Sequence, residues 1–225
     1  MKQRKFYTEA AFLLGLLLLA LGTALTVQGD FGISMVVAPA YILHLKLSQV
    51  LPWFSFGMAE YVLQAMVLLL LMLVRRKVKG QYLLSLLTAV VYGLLLDGSL
   101  RLVGLLGVSA FLPRLCIYVL GVLLCTAAIA LLFRSYLPPA AYELFVKELA
   151  ASRGWSVALT KTVYDCVSLA VAAVLSLAFF GSLQGIGVGT AVGALIYGVL
   201  IRWFDRGLSR FFVFENKAKV RKEYE

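Results

Sequence analysis

The sequence has few charged residues, one histidine and three cysteines, and it carries no recognisable catalytic motif. Paired-cysteine motifs, zinc-protease helices, nucleotide-binding loops and serine-hydrolase elbows are all absent from it. The cysteines, Cys116, Cys125 and Cys166, lie inside apolar runs, where cysteine usually behaves as a small hydrophobic residue. We therefore expect neither an enzyme nor a bound metal or other cofactor.

Charge is scarce because apolar residues dominate the chain. Charged residues make up 14% of the 225 positions and hydrophobic residues 62%, a composition outside the range of ordinary soluble domains. A formal net charge of +10 would suit a nucleic-acid partner, but the basic residues form short clusters between apolar runs. Membrane-flanking charges have this pattern. The composition predicts an integral membrane protein whose partner is the lipid bilayer, with no nucleic acid bound.

Six apolar runs are long enough, or nearly so, to cross a hydrocarbon core, which needs about 20 helical residues. Two of them, the third and the sixth, are short. The runs cover residues 6–27, 53–74, 81–96, 115–133, 155–180 and 186–201. Most lysines and arginines fall in segments that share one side with the N-terminus, whereas Lys46, Arg101 and Arg114 fall on the other side. The positive-inside rule thus places both termini of this multi-pass protein in the cytoplasm.

The two halves of the chain resemble each other at a near-constant offset. Residues 80–93 align without gaps on residues 185–198, and the alignment places Tyr92 on Tyr197. With three spans in each half, the second half must cross the membrane in the opposite direction, as in many secondary transporters. The prediction is an all-α polytopic membrane protein with six transmembrane helices in a 3+3 inverted repeat. Its parts are a first repeat at 1–107, a second repeat at 108–205 and a cytoplasmic tail at 206–225.

A further short helix is expected between the first two spans of each half, at residues 35–47 and 138–150. Each has about a dozen residues and cannot cross a bilayer. Pro39, Pro138 and Pro139 suit the first turns of these helices. Two interpretations remain open: interfacial helices that lie on opposite surfaces, or re-entrant half-helices whose positive N-terminal ends point into the membrane.

Polar side chains inside the second and fifth spans are candidates for function, because a charge at the centre of a span costs roughly 2.5 to 3.5 kcal/mol. Glu60 and Gln64 lie in the second span, and Lys161 and Asp165 lie in the fifth. Members of each pair are four residues apart and share a helical face. The repeat makes Glu60 the counterpart of Lys161, so the two could form a buried salt bridge or line a central cavity.

We favour the cavity. Its predicted substrate-binding residues are Glu60, Gln64, Lys161 and Asp165, with Tyr142 and Glu143 of the second short helix near its inner mouth.

Four glycines recur at every fourth position near the end of the chain: Gly181, Gly185, Gly189 and Gly193. In a membrane, small residues let two helix backbones approach closely. The spacing predicts one continuous glycine face on a helix. That face would form either a seam between the two halves, which the repeat favours, or a homodimer interface.

Four segments carry more specific motifs. They read DFGISMVVAPAY at 30–41, FGMAEY at 56–61, YELFV at 142–146 and GIGVGT at 185–190. With these motifs the chain resembles the YczE/YyaS/YitT-type bacterial membrane proteins, and above all their branch of unknown function. The resemblance covers nearly the whole chain. It implies a multi-pass protein of the bacterial cytoplasmic (inner) membrane, of a kind often described as a transporter but without an established substrate.

These observations favour a secondary transporter or permease for a small organic solute, which works by alternating access around a polar site at the midplane. Two alternatives stay open. One is a substrate-capture subunit of an energy-coupling-factor transporter, for which the small residues at 20–24 would be the docking surface. The other is a membrane regulator or assembly partner that transports nothing and acts through its cytoplasmic tail.

Overall fold

The computed structural model describes residues 4–76, 79–135 and 140–215, and this part of the chain folds into eight helices and two short strands. The helices are α1 (Thr8–Gly29), α2 (Ala38–Leu47), α3 (Phe56–Arg75), α4 (Gly80–Gly104), α5 (Phe111–Phe133), α6 (Ala141–Arg153), α7 (Val157–Phe180) and α8 (Val188–Phe211); the strands are β1 (Arg4–Tyr7) and β2 (Phe212–Glu215). Six helices, all except α2 and α6, are long and apolar enough to span a membrane. The prediction of an all-α multi-pass membrane protein with two additional short helices is thus confirmed.

Two spans are longer than the sequence predicted. Helix α4 has 25 residues and α8 has 24, although their apolar runs were interpreted as short. Each run stops at a charged residue, Asp97 in α4 and Arg202 in α8, yet the helix continues for further turns beyond it. The reason is that hydropathy measures the apolar side chains of a helix, whereas its length is set by backbone hydrogen bonds.

The strands β1 and β2 join the two ends of the described chain. They pair in parallel, with Arg4 opposite Phe212, and the ring of Phe6 packs edge-on against Phe212 and Phe214. The sequence predicted only a cytoplasmic tail at 206–225, of which residues 216–225 lie outside the described ranges. We call the side of the bundle that holds these strands the terminal face, and the other side the opposite face.

Ion pairs hold the helix ends together at both faces. On the terminal face, Arg134 Nε bonds to Asp205 Oδ1 at 2.6 Å, which ties the end of α5 to α8. On the opposite face, Arg114 of α5 pairs with Asp30, which follows α1, at 2.8 Å. Exposed pairs of this kind typically contribute less than about 1 kcal/mol each. These ion pairs therefore contribute little to the stability of the bundle.

Helix α1 packs along α5 in the most extensive contact of the fold, and glycines let their backbones meet. A Cβ atom added to Gly22 would lie 2.8 Å from the carbonyl oxygen of Gly121, and a Cβ added to Gly121 would lie 2.8 Å from that of Gly22. Gly15 and Gly29 face α5 in the same way. Because these three α1 glycines are seven residues apart, they share one helical face. That spacing is the signal which sequence reasoning missed.

The predicted continuous glycine face on the last helix is wrong. Gly181 ends α7 with φ of +68°, Gly185 lies in the following loop with φ of +67°, and α8 begins only at Val188. Such left-handed φ values end helices and favour glycine. Of the four residues, only Gly189 and Gly193 lie on α8. The regular spacing therefore runs across a break in the helix.

Candidate functional site

Glu60 is a fully buried carboxyl on a spanning helix. It lies on α3 with 0% of its surface exposed, and Gln64, one turn later, is 1% exposed. Its Oε2 atom accepts hydrogen bonds from Gln64 Nε2 at 3.2 Å and from the Tyr142 hydroxyl at 2.9 Å. Its Oε1 atom is buried and has no hydrogen-bond partner among the described residues. The sequence-predicted residues Glu60, Gln64 and Tyr142 are thus brought into one cluster.

Helix α6 reaches this cluster with its N-terminus. The backbone N–H of Ala141 donates to Gln64 Oε1 at 3.2 Å, near the middle of α3. Further along α6, Glu148 pairs with Arg75 at the end of α3 and with Lys79 just before α4. Helix α6 therefore runs beside α3 from the middle of the span to the terminal face. This course is that of a half-helix and not of a helix lying on the surface; residues 138 and 139, predicted at its start, lie outside the described ranges.

Helix α2 follows a matching course from the other side. Its first residue, Ala38, and Ile42 form a buried cluster with Ala172, well inside α7. Near its end, Lys46 lies over the rings of Phe179 and Phe180, where α7 reaches the opposite face. Helices α2 and α6 both pack between α3 and α7. The positive N-terminal ends of two half-helices thus point toward the centre of the bundle from opposite faces.

Aromatic hydroxyls surround the Glu60 cluster. The Tyr142 ring lies 6.1 Å from that of Tyr164 on α7, and Tyr92 on α4 is close enough to interact electrostatically with Glu60. Burial raises the pKa of Tyr142 well above its ordinary value, and the adjacent Glu60 carboxyl adds to the rise. The Tyr142 hydroxyl is therefore neutral at physiological pH and serves as a hydrogen-bond donor.

Glu143, in the first turn of α6, brings a second carboxyl to the cluster. It interacts electrostatically with both Glu60 and Tyr164, and its Oε2 atom is buried without a hydrogen-bond partner in the described part of the chain. From the sequence, Glu143 was expected near the mouth of a cavity. The structure places it next to the centre.

Lys161 and Asp165 form a separate pair on α7. Lys161 Nζ bonds to Asp165 Oδ1 at 2.7 Å, and 34% and 20% of the two side chains are exposed. Lys161 Nζ also lies over the ring of Tyr164, 6.0 Å from the ring centroid. Among the described residues, the buried Glu60–Lys161 salt bridge that the repeat allowed is not formed. Residues four apart on a helix are neighbours on its surface, so Lys161 can bond to a carboxylate of its own helix.

A second polar contact closes α3 against α4 at the opposite face, and sequence reasoning missed it. Asp97 accepts hydrogen bonds from the Ser55 hydroxyl at 2.5 Å and from the backbone N–H of Gly57 at 2.8 Å, so it caps the start of α3. Gly57 and Gly93 meet backbone to backbone at the same place. No sequence pattern indicated this role of Asp97, because its hydrogen-bond partners lie outside its own helix.

The four sequence motifs meet in two pairs. The segment before α2 contacts the segment before α8: Ile33 N–H donates to the Gly185 carbonyl at 2.9 Å, and Gly189 N–H donates to the Phe31 carbonyl at 2.7 Å. The other pair is the FGMAEY and YELFV motifs, joined by the bond between Tyr142 and Glu60. Each short helix is thus positioned by a motif on another helix or loop.

Comparison with known proteins agrees with the motifs at the level of a family without an assigned activity. No curated protein and no solved structure matches the chain. A match to one protein family extends over residues 6–206, which include all eight helices except the last turns of α8. The chain therefore belongs to the DUF6198 family, a family of unknown function.

Proposed function

We propose that the protein is a secondary transporter for a small organic solute, which binds at the Glu60 cluster and crosses the membrane by alternating access. The observation that carries the proposal is Glu60 itself: a carboxyl 0% exposed within a spanning helix, and hydrogen-bonded to Tyr142 of a half-helix. Ionisable groups at this depth are costly and mark substrate or ion pathways. Half-helices that end at the midplane are typical of transporter binding sites.

Helix contacts support the 3+3 inverted repeat that this mechanism needs. In the repeat, α1 to α4 correspond to α5 to α8. The contact of α1 with α4 has its counterpart in that of α5 with α8, and the contact of α2 with α3 in that of α6 with α7. Between the halves, α2 packs on α7 as α6 packs on α3. Helices α1 and α5, which correspond to each other, pack together at the centre.

One pair of corresponding contacts is unequal, and this inequality supports alternating access. Helix α3 packs closely on α4, with Gly57 against Gly93, whereas α7 and α8 make almost no contact in the described structure. Gly198, the counterpart of Gly93, has no atom near the position of an added Cβ. We infer that this conformation is closed at the opposite face and open at the terminal face. With the predicted cytoplasmic termini, it is an inward-open state.

The solute-binding role is tested with Glu60→Gln, which keeps the shape of the side chain and removes its charge. A screen of metabolites against the purified protein would identify a solute that raises its melting temperature by mass action. We expect Glu60→Gln to weaken the apparent affinity for the solute at least tenfold, as measured from the rise in melting temperature. Asp205→Asn on the terminal face should leave this affinity unchanged. Equal stabilisation of the wild type and Glu60→Gln would contradict the assignment of Glu60.

The open cleft is tested by the reactivity of single cysteines in a protein whose three native cysteines have been replaced. We expect Gly198→Cys to react with a water-soluble maleimide added on the cytoplasmic side, because it would line the cleft between α7 and α8. Leu69→Cys is the matched control, since Leu69 is also exposed but lies on the side of α3 turned about 180° from Glu60, toward lipid. Equal reactivity of the two cysteines would contradict a water-filled cleft.

Of the two alternative functions, the contacts bear only on the substrate-capture subunit, with which they are less consistent. A substrate-capture subunit would dock through the small residues at 20–24, but Ala20 and Ala24 are 0% exposed and Gly22 is packed on α5. A regulator that acts through its tail would depend on residues 216–225, which lie outside the described ranges. Membership of the YczE/YyaS/YitT branch, a bacterial inner-membrane location and association as a homodimer remain proposals.

A further inference from the structure

The Glu60 cluster carries two carboxyls, and no cationic side chain in the described part of the chain bonds to them. Glu60 Oε1 and Glu143 Oε2 are both buried and without hydrogen-bond partners among the described residues. No Lys or Arg of the described chain forms an ion pair with either carboxyl, and Lys161 is bonded to Asp165. A buried carboxylate with an unpaired oxygen is energetically unfavourable unless something neutralises it. The described residues therefore place no positive side chain on either carboxyl.

The titratable groups around Glu60 do not provide that charge. They are Tyr92 from α4, Tyr142 and Glu143 from α6, and Tyr164 from α7. From α2, His44 binds the Phe54 carbonyl instead, at 2.9 Å. The N-terminus of α6 contributes only about half of one positive charge. Even with this contribution, two ionised carboxylates would leave a net negative charge in the centre.

A proton satisfies the cluster better than a metal ion does. It needs no cavity, and it turns an unpaired oxygen into a neutral hydroxyl. A hard metal cation needs roughly six oxygen ligands. Within the described ranges, no three His, Cys, Asp or Glu side chains converge closely enough to hold a metal. The bonds from Gln64 and Tyr142 both go to Glu60 Oε2, which leaves Oε1 as the place for the proton.

We propose that Glu60 and Glu143 form a proton-binding site, with the proton held on Glu60 Oε1, and that this proton is the coupling ion of transport. The second part rests on the proposed function; the first does not. The proton enters and leaves as a hydronium or buffer proton from water on whichever face is open. When it leaves, Glu60 keeps the electron pair as a carboxylate, and its Oε2 still accepts the Tyr142 and Gln64 hydrogen bonds.

The test is infrared spectroscopy of the purified full-length protein during a pH titration. A buried protonated carboxyl gives a carbonyl stretching band that shifts in D2O and disappears when the group ionises. We expect this band at neutral pH in the wild type, its loss at alkaline pH, and its absence at neutral pH in Glu60→Gln. Asp205→Asn, which removes a carboxyl on the terminal face, should keep the band.

Tyr142→Phe gives a sharper outcome, because it removes a donor that stabilises the ionised form of Glu60. We expect the band of this variant to persist to higher pH than in the wild type, whereas a purely structural role for Tyr142 would leave the midpoint unchanged. The pH dependence of thermal unfolding should also indicate a proton bound in the native state. If native Glu60 holds a proton that the unfolded chain releases, the melting temperature falls as pH rises above neutral, and it falls less in Glu60→Gln.

Two results would overturn the inference: no Glu60-dependent band at neutral pH, or a band that vanishes when sodium replaces potassium at constant pH, which would assign the site to sodium. Failure of the transport proposal is distinguishable from either. A Glu60-dependent band in a protein that binds no solute would keep the proton site and reject the transporter. Solute binding in a protein without the band would keep the transporter proposal and reject the proton site.

Discussion

Gly57→Ala is expected to destabilise the protein strongly, by about 3 kcal/mol, at the upper end of the usual cost of overpacking. The added methyl group would collide with the backbone carbonyl of Gly93 on α4, and it would lie only 2.7 Å from Asp97 Oδ2. Neither α3 nor α4 can relieve the clash by rotating a side chain, because backbone meets backbone. The helices must separate, which also lengthens the bond from Gly57 N–H to Asp97 Oδ1. The measurement is thermal unfolding of the purified variant.

Gly198→Ala is the matched control for this prediction. Gly198 corresponds to Gly93 in the repeat, and no atom lies within reach of its added Cβ in this conformation. Alanine is favoured over glycine by roughly 1 kcal/mol in a helix, so we expect Gly198→Ala to leave the melting temperature unchanged or slightly raised. Equal losses in Gly57→Ala and Gly198→Ala would contradict the unequal packing of the two halves.

Gly22→Val is expected to have the second large effect, because it lies in the α1–α5 seam. Its Cβ would fall 2.7 Å from Cys125 Sγ and 2.8 Å from the Gly121 carbonyl oxygen, and valine adds two more methyl groups. We expect a loss of more than about 3 kcal/mol or failure to accumulate in the membrane. Gly98→Val, at an exposed helical position on α4 with no neighbour near its Cβ, controls for the change from glycine to a branched residue.

A smaller substitution at Gly22 distinguishes a local packing defect from a failure to fold. Gly22→Ala places one methyl group in the same seam, and we expect an intermediate loss of thermal stability in a protein that still folds. If Gly22→Val and Gly98→Val were equally stable, α1 and α5 could not be packed as closely as the structure has them.

The length of the apolar runs located the spans but not the packing contacts between them. All six spans were found, since about 20 apolar residues in a row have few alternatives to a membrane helix. The closest packing was assigned to the wrong helix, however. A run of glycines near Gly185 was taken for a helical face, whereas the structure uses Gly181 and Gly185 in left-handed turns and packs Gly22 against Gly121. Glycine has both uses, and only its φ angle and its neighbours distinguish them.

The candidate site shows the same limit. The cost of burying charge pointed correctly to Glu60 as an unusual residue, and its spacing from Gln64 predicted a shared face. The repeat then suggested Lys161 as the partner of Glu60. In the structure Lys161 bonds to Asp165 on its own helix, and the partner of Glu60 is Tyr142, which comes from α6. Aligning the two halves identifies corresponding positions in the repeat, but it does not identify which side chains the fold places in contact.

Composition and hydropathy alone predict a multi-pass helical membrane protein with polar residues inside two of its spans, because both are properties of consecutive residues along the chain. The contacts between elements show in addition that α6 runs beside α3 from the middle of the span, that within the described ranges no lysine or arginine pairs with Glu60 or Glu143, and that α3 packs on α4 whereas α7 and α8 make almost no contact. These features depend on contacts between residues far apart in the sequence. Such contacts are selected by packing and by the need to satisfy buried polar groups, and neither leaves a periodic signal in one helix.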